Sequence, residues 1–179
     1  MLDASLHRLK YIERILLASL HSLLLFFFIF LFTRFFIISP AAVNGTSMDP
    51  NFVDNEVFFV NKMAYVFSEP KRFDVVQVID PKTRHLVIKR IIGLPGEDLV
   101  MKRSKMYRVD SNTGDHVLID ESAYIKDDVI TRLWDIKGAV DYTLGDYEYF
   151  ILGDNRPFSI DSRIYGPVTR DHIVGRVFN

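Results

Sequence analysis

Three short segments of this 179-residue chain carry side chains whose types and spacing could do chemistry. The first is Gly45-Thr46-Ser47-Met48-Asp49-Pro50. A serine between a flexible glycine and a proline-containing turn can present its hydroxyl and its own N–H at one point, although a plain polar turn has the same composition. The second is Lys89, inside Leu86-Val87-Ile88-Lys89-Arg90-Ile91-Ile92. If that run is a strand, alternation sets Val87, Lys89 and Ile91 on one face and Ile88, Arg90 and Ile92 on the other. A lysine between valine and isoleucine loses solvation, which favours the neutral amine and suits a general base. An edge-strand lysine reaching out to water remains the other reading. The third is Gly153-Asp154-Asn155-Arg156-Pro157-Phe158-Ser159-Ile160-Asp161-Ser162-Arg163, a turn that Asp–Arg pairs could hold together.

Other chemistries find little support. With no cysteine, the chain has no disulfides, thiolate metal sites or cysteine nucleophile. His7, His21, His85, His116 and His172 have no metal-ligand spacing, so no metal or other cofactor is expected. There is no GxSxG, no HExxH, no P-loop and no GxGxxG. A net charge of −1 lacks the basic footprint of a nucleic-acid binder.

The elements that must position these segments follow a marked division. Ile15 to Phe32 contains no charged residue, and seven of the 15 phenylalanines lie between Phe26 and Phe36. The apolar tract resumes after Arg34 and runs to Ile38. As a helix, residues 15–38 would extend roughly 36 Å, enough to cross a bilayer core. Arg8, Lys10 and Arg14 precede it, and after Arg34 no Lys or Arg occurs until Lys62. Positive charge stays inside, so residues 1–14 are expected in the cytoplasm and residues 39–179 outside, on a single-pass signal anchor in the cell membrane. Cleavage near Ala41 and Ala42 is the competing reading, but the tract exceeds the core of an ordinary signal peptide.

Beyond the anchor the pattern predicts a mostly-β domain. Val57–Asn61, Val75–Ile79, Leu86–Ile92, Met106–Val109, Val117–Ile119, Tyr147–Leu152 and Ile173–Val177 are short β-branched or aromatic runs separated by turn formers. Residues 102–145 are more polar, hold the only tryptophan, Trp134, and read as an inserted subdomain.

Taken in order, the segments resemble the type I signal peptidases, membrane-bound Ser–Lys proteases, in their Gram-positive single-anchor form. Ser47-Met48-Asp49-Pro50 is similar to the family's nucleophile box, Ser-Met-x-Pro. Arg72-Phe73-Asp74-Val75-Val76 resembles the next box, and Ile88-Lys89-Arg90-Ile91-Ile92-Gly93-Leu94-Pro95-Gly96-Glu97 the box of the general base. Gly153–Arg163 matches the last box, Gly-Asp-Asn-Arg-x-x-Ser-x-Asp-Ser-Arg, at all eight defined positions. The resemblance covers about Val43–Glu97 and Gly153–Val168, and implies a signal-peptidase-like β-barrel or sheet with a small insertion behind one transmembrane helix.

The resemblance also implies roles. Ser47 is the nucleophile and Lys89 its general base. Ser159 hydrogen-bonds and orients the lysine, while Arg90, Asp154, Asp161 and Arg163 brace the site. The Ser47 N–H is an oxyanion donor. Gly45 stands where many Gram-negative members carry a hydroxyl, so that donor must be replaced by backbone or water. Phe73 stands where many members have glycine. Val43, Met48, Phe52, Val87 and Ile88 line shallow apolar pockets for small residues before the cut. The implied substrates are signal-peptide-bearing preproteins, and the implied surroundings are the lipid bilayer and the secretion translocon, with no nucleic acid. A non-proteolytic chaperone or assembly factor for pilins or other surface proteins is the alternative, but such members usually lack the nucleophile or the base. A repressor-type Ser–Lys autoprotease is disfavoured by the apolar anchor.

Overall fold

The computed structural model describes residues 2–125 and 140–178. Trp134 and the central part of the expected insertion lie outside the described residues. The chain divides between Ser39 and Pro40 into two compact units.

The first unit is α1 (Leu2–Phe32), continued by one π-helical turn, Thr33–Ile37. Within α1, Lys10–Phe32 is long and apolar enough to cross a membrane, and none of it is buried in the protein. Such a helix, apolar on every side, has no core to face and is suited to lipid. The apolar tract outlasts the helix, because Ile38 already opens a strand. Ile37 and Ile38 are β-branched and Pro40 cannot continue a helix, so the chain becomes extended there.

The strands form two sheets. The larger contains β1 (Ile38–Ala42), β2 (Val57–Asn61), β3 (Val75–Ile79), β4 (Leu86–Gly93), β9 (Glu148–Leu152), β10 (Val168–Thr169) and β11 (Ile173–Phe178), in the order β1-β2-β11-β3-β4-β9-β10. The smaller has β5 (Asp98–Lys102), β6 (Lys105–Val109), β7 (His116–Leu118) and β8 (Val140–Thr143), in the order β7-β6-β5-β8. This second sheet starts at Asp98, ahead of the position 102 suggested by polarity, because Leu99, Val100 and Met101 are buried together and conceal any alternation. The sequence pattern predicts no strand at the positions of β1, β5, β8 and β10. β1 contains Pro40, which a sheet edge tolerates because no ladder donor is needed on its outer side.

The register positions the chemistry. Val76 on β3 lies opposite Lys89 on β4, and Val75 opposite Arg90. On its other side β4 joins β9 through Arg90–Leu152 and Ile91–Ile151, followed by a bulge before Gly93–Phe150. Among the described residues, no strand pairs with Leu86–Ile88 on that second side. Alternation along β4 divides its side chains between cores. Ile88 joins Val43, Met48, Phe52 and Val75 in one cluster, whereas Val87 and Ile91 pack with Val76, Val78 and Ile151. A third cluster, including Ile92, Phe150 and Leu152 with Leu99, Met106 and Leu144, joins the two sheets.

Candidate active site

Ser47 lies in the turn between β1 and β2, and the local sequence explains its presentation. Gly45 adopts φ +89°, a left-handed conformation that costs other L-residues energy. Its N–H donates to Asp54 Oδ1 across 2.7 Å. Val43 N–H bonds to the Glu56 carbonyl at 2.9 Å, closing the base of the turn. Met48, fully buried, anchors the residue after the serine, and its carbonyl accepts from the Asn51 and Phe52 N–H groups. The peptide between Asp49 and Pro50 is cis. Ser47 itself remains partly exposed, and among the described residues its own N–H has no hydrogen-bond partner.

Lys89 reaches this turn from β4. Its Nζ donates to Ser47 Oγ across 2.8 Å, although 42 positions separate the two residues. Only 3% of Lys89 is exposed. Burial pushes its ammonium down to about 8, against the pull of Asp161, Asp80 and Asp154, while Arg163 adds to the lowering. A lysine in this state is substantially neutral slightly above physiological pH, and its lone pair can then accept the serine proton.

The loop after β9 closes the site. A Cβ on Gly153 would stand 2.2 Å from Ser159 Oγ and 2.4 Å from the Ser47 carbonyl oxygen, so only glycine fits there. Asn155 N–H donates to that same carbonyl at 3.1 Å, and Asn155 Nδ2 donates to the Thr46 carbonyl at 2.9 Å. The Gly153 N–H is held by Asp161 Oδ2 at 3.0 Å. Arg163 grips both oxygens of Asp161, from Nε at 2.8 Å and Nη2 at 2.7 Å, in a pair almost wholly out of water. Arg90 does the same to Asp154, at 2.8 and 2.6 Å. Arg–carboxylate forks of this kind fix two side chains in a single geometry.

The candidate residues do not all stand as the resemblance implies. Ser159 is 1% exposed and lies against Gly153, but among the described residues its hydroxyl has no hydrogen-bond partner, Lys89 included. Val43, Met48, Phe52 and Ile88 share one cluster, and Val87 belongs to another, as alternation along β4 requires. Phe73 takes φ +72°, in the left-handed region. That gives glycine a conformational reason at this position. Phe73 offsets the strain with a 2.7 Å bond from its N–H to the Ile91 carbonyl and with a ring contact to Tyr124.

Sequence reasoning missed several participants. Asn51 donates to Asp154 Oδ2 at 2.9 Å. Arg156, 1% exposed, pairs with Glu121, and Arg90 lies 4.1 Å from the centre of the Tyr124 ring. Arg156 and Asn155 belong to a quoted motif, which was the available signal. Glu121 and Tyr124 belong to no motif and gave none. Among the described residues, no group of three or more His, Asp or Glu could hold a metal ion.

Comparison with known proteins identifies the family. A family model described as "Signal peptidase, peptidase S26" matches residues 16–179. Signal peptidase I V of Bacillus subtilis (strain 168) is 34% identical over 138 residues, spanning 74% of this chain and 79% of that protein. Signal peptidase I of Bacillus amyloliquefaciens is 38% identical over 143 residues, 79% of this chain and 75% of that one. Signal peptidase I of Streptococcus pneumoniae (serotype 4) is 30% identical over 170 residues, with 80% and 81% covered. A crystal structure of a signal peptidase I from Enterococcus faecalis V583 is similar with a TM-score of 0.47 at 28% identity, covering 62% of this chain and 98% of that one. A matched region that takes in the serine turn, the lysine strand and the final loop, together with relatives aligned over most of their length, means that this chain belongs to the signal peptidase family, peptidase S26.

Proposed function

We propose that the protein is a membrane-anchored serine endopeptidase that removes N-terminal signal peptides from exported preproteins, with Ser47 as nucleophile and Lys89 as general base. The observation that carries this reading is the 2.8 Å approach of a partly exposed serine hydroxyl to the Nζ of a lysine that is 3% exposed.

Neutral Lys89 Nζ takes the proton as Ser47 Oγ attacks the scissile carbonyl carbon. The Ser47 N–H, without a hydrogen-bond partner among the described residues, faces the developing oxyanion. As the C–N bond breaks, the Lys89 ammonium gives its proton to the departing amine of the mature protein. Water then attacks the acyl ester, Lys89 takes a proton from it, and that proton returns to Ser47 Oγ as the signal-peptide carboxylate leaves.

Binding follows from the free side of β4. An extended segment can add as a strand along Leu86–Ile88, close to Ser47. The cluster of Val43, Met48, Phe52 and Ile88 then gives the side chains before the cut an apolar floor, favouring small residues. Residues 1–14 remain cytoplasmic and the catalytic unit lies outside, so that anchor and substrate share the plane of the bilayer near the translocon. Confinement to that plane raises the effective concentration of each for the other.

The test is cleavage of a preprotein in liposomes by wild type, Ser47→Ala and Lys89→Ala. Wild type cuts after a small residue with an initial-rate midpoint near the Lys89 value of about 8, rising with pH, and each variant is silent. Variants that cut as fast as wild type would remove the dyad. A wild type that binds preproteins without cutting any would make the chain an assembly factor.

A further inference from the structure

The turn that follows β7 touches the reaction site indirectly from several directions. Backbone bonds from Tyr124 and Ile125 to the Glu121 carbonyl, at 3.1 and 2.9 Å, fold residues 121–125 into that turn. Ile119, just ahead of it, is buried in the core shared by the two sheets. The Glu121 carboxylate accepts from both terminal nitrogens of Arg156, from Nη1 at 3.0 Å, and from the Tyr124 hydroxyl at 2.7 Å. Arg156 in turn donates from Nε to the Gly153 carbonyl at 3.0 Å. The Tyr124 ring supports the Arg90 guanidinium at 4.1 Å, and its carbonyl accepts from Asn51 Nδ2 at 2.9 Å.

Each arm ends beside a reacting group. Asn51 lies in the turn that presents Ser47, Arg90 follows Lys89 on β4, and Gly153 lies against both Ser159 and the Ser47 carbonyl. Among the described residues no hydrogen bond from the turn reaches Ser47 or Lys89 directly, so its effect passes through Arg90, Arg156 and Asn51. The Glu121–Arg156 pair is also nearly dry, with side-chain exposures of 11% and 1%, and a dry pair that loses one partner leaves a buried charge to rearrange its surroundings.

We propose that Glu121 and Tyr124 are positioning residues, through which the second sheet fixes the Ser47 turn, the Lys89 strand and the Gly153 loop relative to one another. This rests on the peptidase reading above and adds a task for the second sheet.

The test compares the full-length protein and its Glu121→Gln, Tyr124→Leu and Tyr124→Phe variants in detergent micelles. With a preprotein substrate, Glu121→Gln and Tyr124→Leu are expected to lower kcat about tenfold or more with KM held within about twofold, as a misplaced reacting group requires. Tyr124→Phe keeps the ring over Arg90 and should restore kcat to within about threefold of wild type. The second readout, independent of cleavage, is the titration of Lys89 followed by NMR on protein labelled at lysine. The groups acting on Lys89 are Asp161, Asp80, Asp154 and Arg163. Tyr124→Leu should raise the Lys89 midpoint by about one pH unit as water reaches the ammonium. Thermal unfolding reports the folded fraction. Losses of activity that follow only the folded fraction, with the Lys89 titration unmoved, would overturn the proposal, and so would wild-type kcat in all variants. If wild type cuts nothing, the peptidase reading fails, and the titration still decides: a raised midpoint supports positioning by the turn, an unchanged one refutes it.

Discussion

Replacing Lys89 with methionine should make the protein inactive and more stable at neutral pH. The native site holds the ammonium at about 8, compared with 10.5 in a solvated chain. At about 1.4 kcal/mol per pH unit, that gap corresponds to roughly 3 kcal/mol against the charged form in the folded state. Below pH 8 both folded and unfolded chains are protonated, so the native state bears the whole penalty. Between about 8 and 10.5 the unfolded chain binds a proton that the native chain has released, and stability rises with pH through that window. Methionine fills the same narrow space with an unbranched apolar side chain and removes the charge. It also removes the bond to Ser47 Oγ, worth about 1 kcal/mol, but water can replace that donor at a partly exposed serine. The net expectation is a gain of about 2 kcal/mol at pH 7, or about 1 M in the urea midpoint, shrinking to nothing or reversing by pH 10.5. Urea unfolding of the full chain in micelles at pH 7 and pH 10.5, followed by near-ultraviolet circular dichroism, measures both values. A variant less stable than wild type at pH 7 would refute the reasoning, and so would a gain of equal size at the two pH values, since either would mean that Lys89 is not held dry.

Two further substitutions test the surrounding loops. Gly153→Ala places a methyl group within 2.4 Å of the Ser47 carbonyl, an oxygen already held by Asn155, and should lower kcat/KM about a hundredfold with a fall of several degrees in Tm; a wild-type rate would mean that the two loops do not meet as described. Gly45→Ser meets no atom within 4 Å but must adopt φ +89°, so it should destabilise the fold by about 1–2 kcal/mol in denaturant titrations without raising kcat, whereas an unchanged midpoint would show the turn to be free of that constraint.

The sequence by itself determined whatever depends on near neighbours along the chain. Eighteen uncharged positions from Ile15 to Phe32 specified an apolar helix long enough to cross a membrane, since that property needs only composition and length. β2 and β3 begin and end where the β-branched runs do, whereas the apolar neighbours of Lys89 on β4 allow a dry amine or an edge lysine in water, and only its 3% exposure selects the first. The resemblance of the ordered boxes to the signal peptidases, rather than spacing alone, grouped Ser47 with Asp154, Ser159, Asp161 and Arg163. Polarity was a weaker guide: it omitted the first strand of the second sheet, which has consecutive buried residues, while β1 was hidden by the end of the apolar tract and by Pro40, tolerated because the strand lies at a sheet edge.

Only the tertiary structure decided which distant residues meet. The order of strands sets β4 between β3 and β9, and that order brings Lys89 to Ser47 and Arg90 to Asp154. It also brings Glu121 and Tyr124, which carry no motif, against Arg156 and Arg90, and leaves the Ser159 hydroxyl beside Gly153 without a partner among the described residues. The left-handed backbone of Phe73 is likewise set by its bonds to Ile91 and Arg90 on the neighbouring strand. The physical reason is one of range. Periodicity and propensity record how each residue meets solvent within a few positions, whereas contacts across 30 to 100 positions depend on how whole strands are ordered and registered, and that outcome belongs to the packed core as a whole.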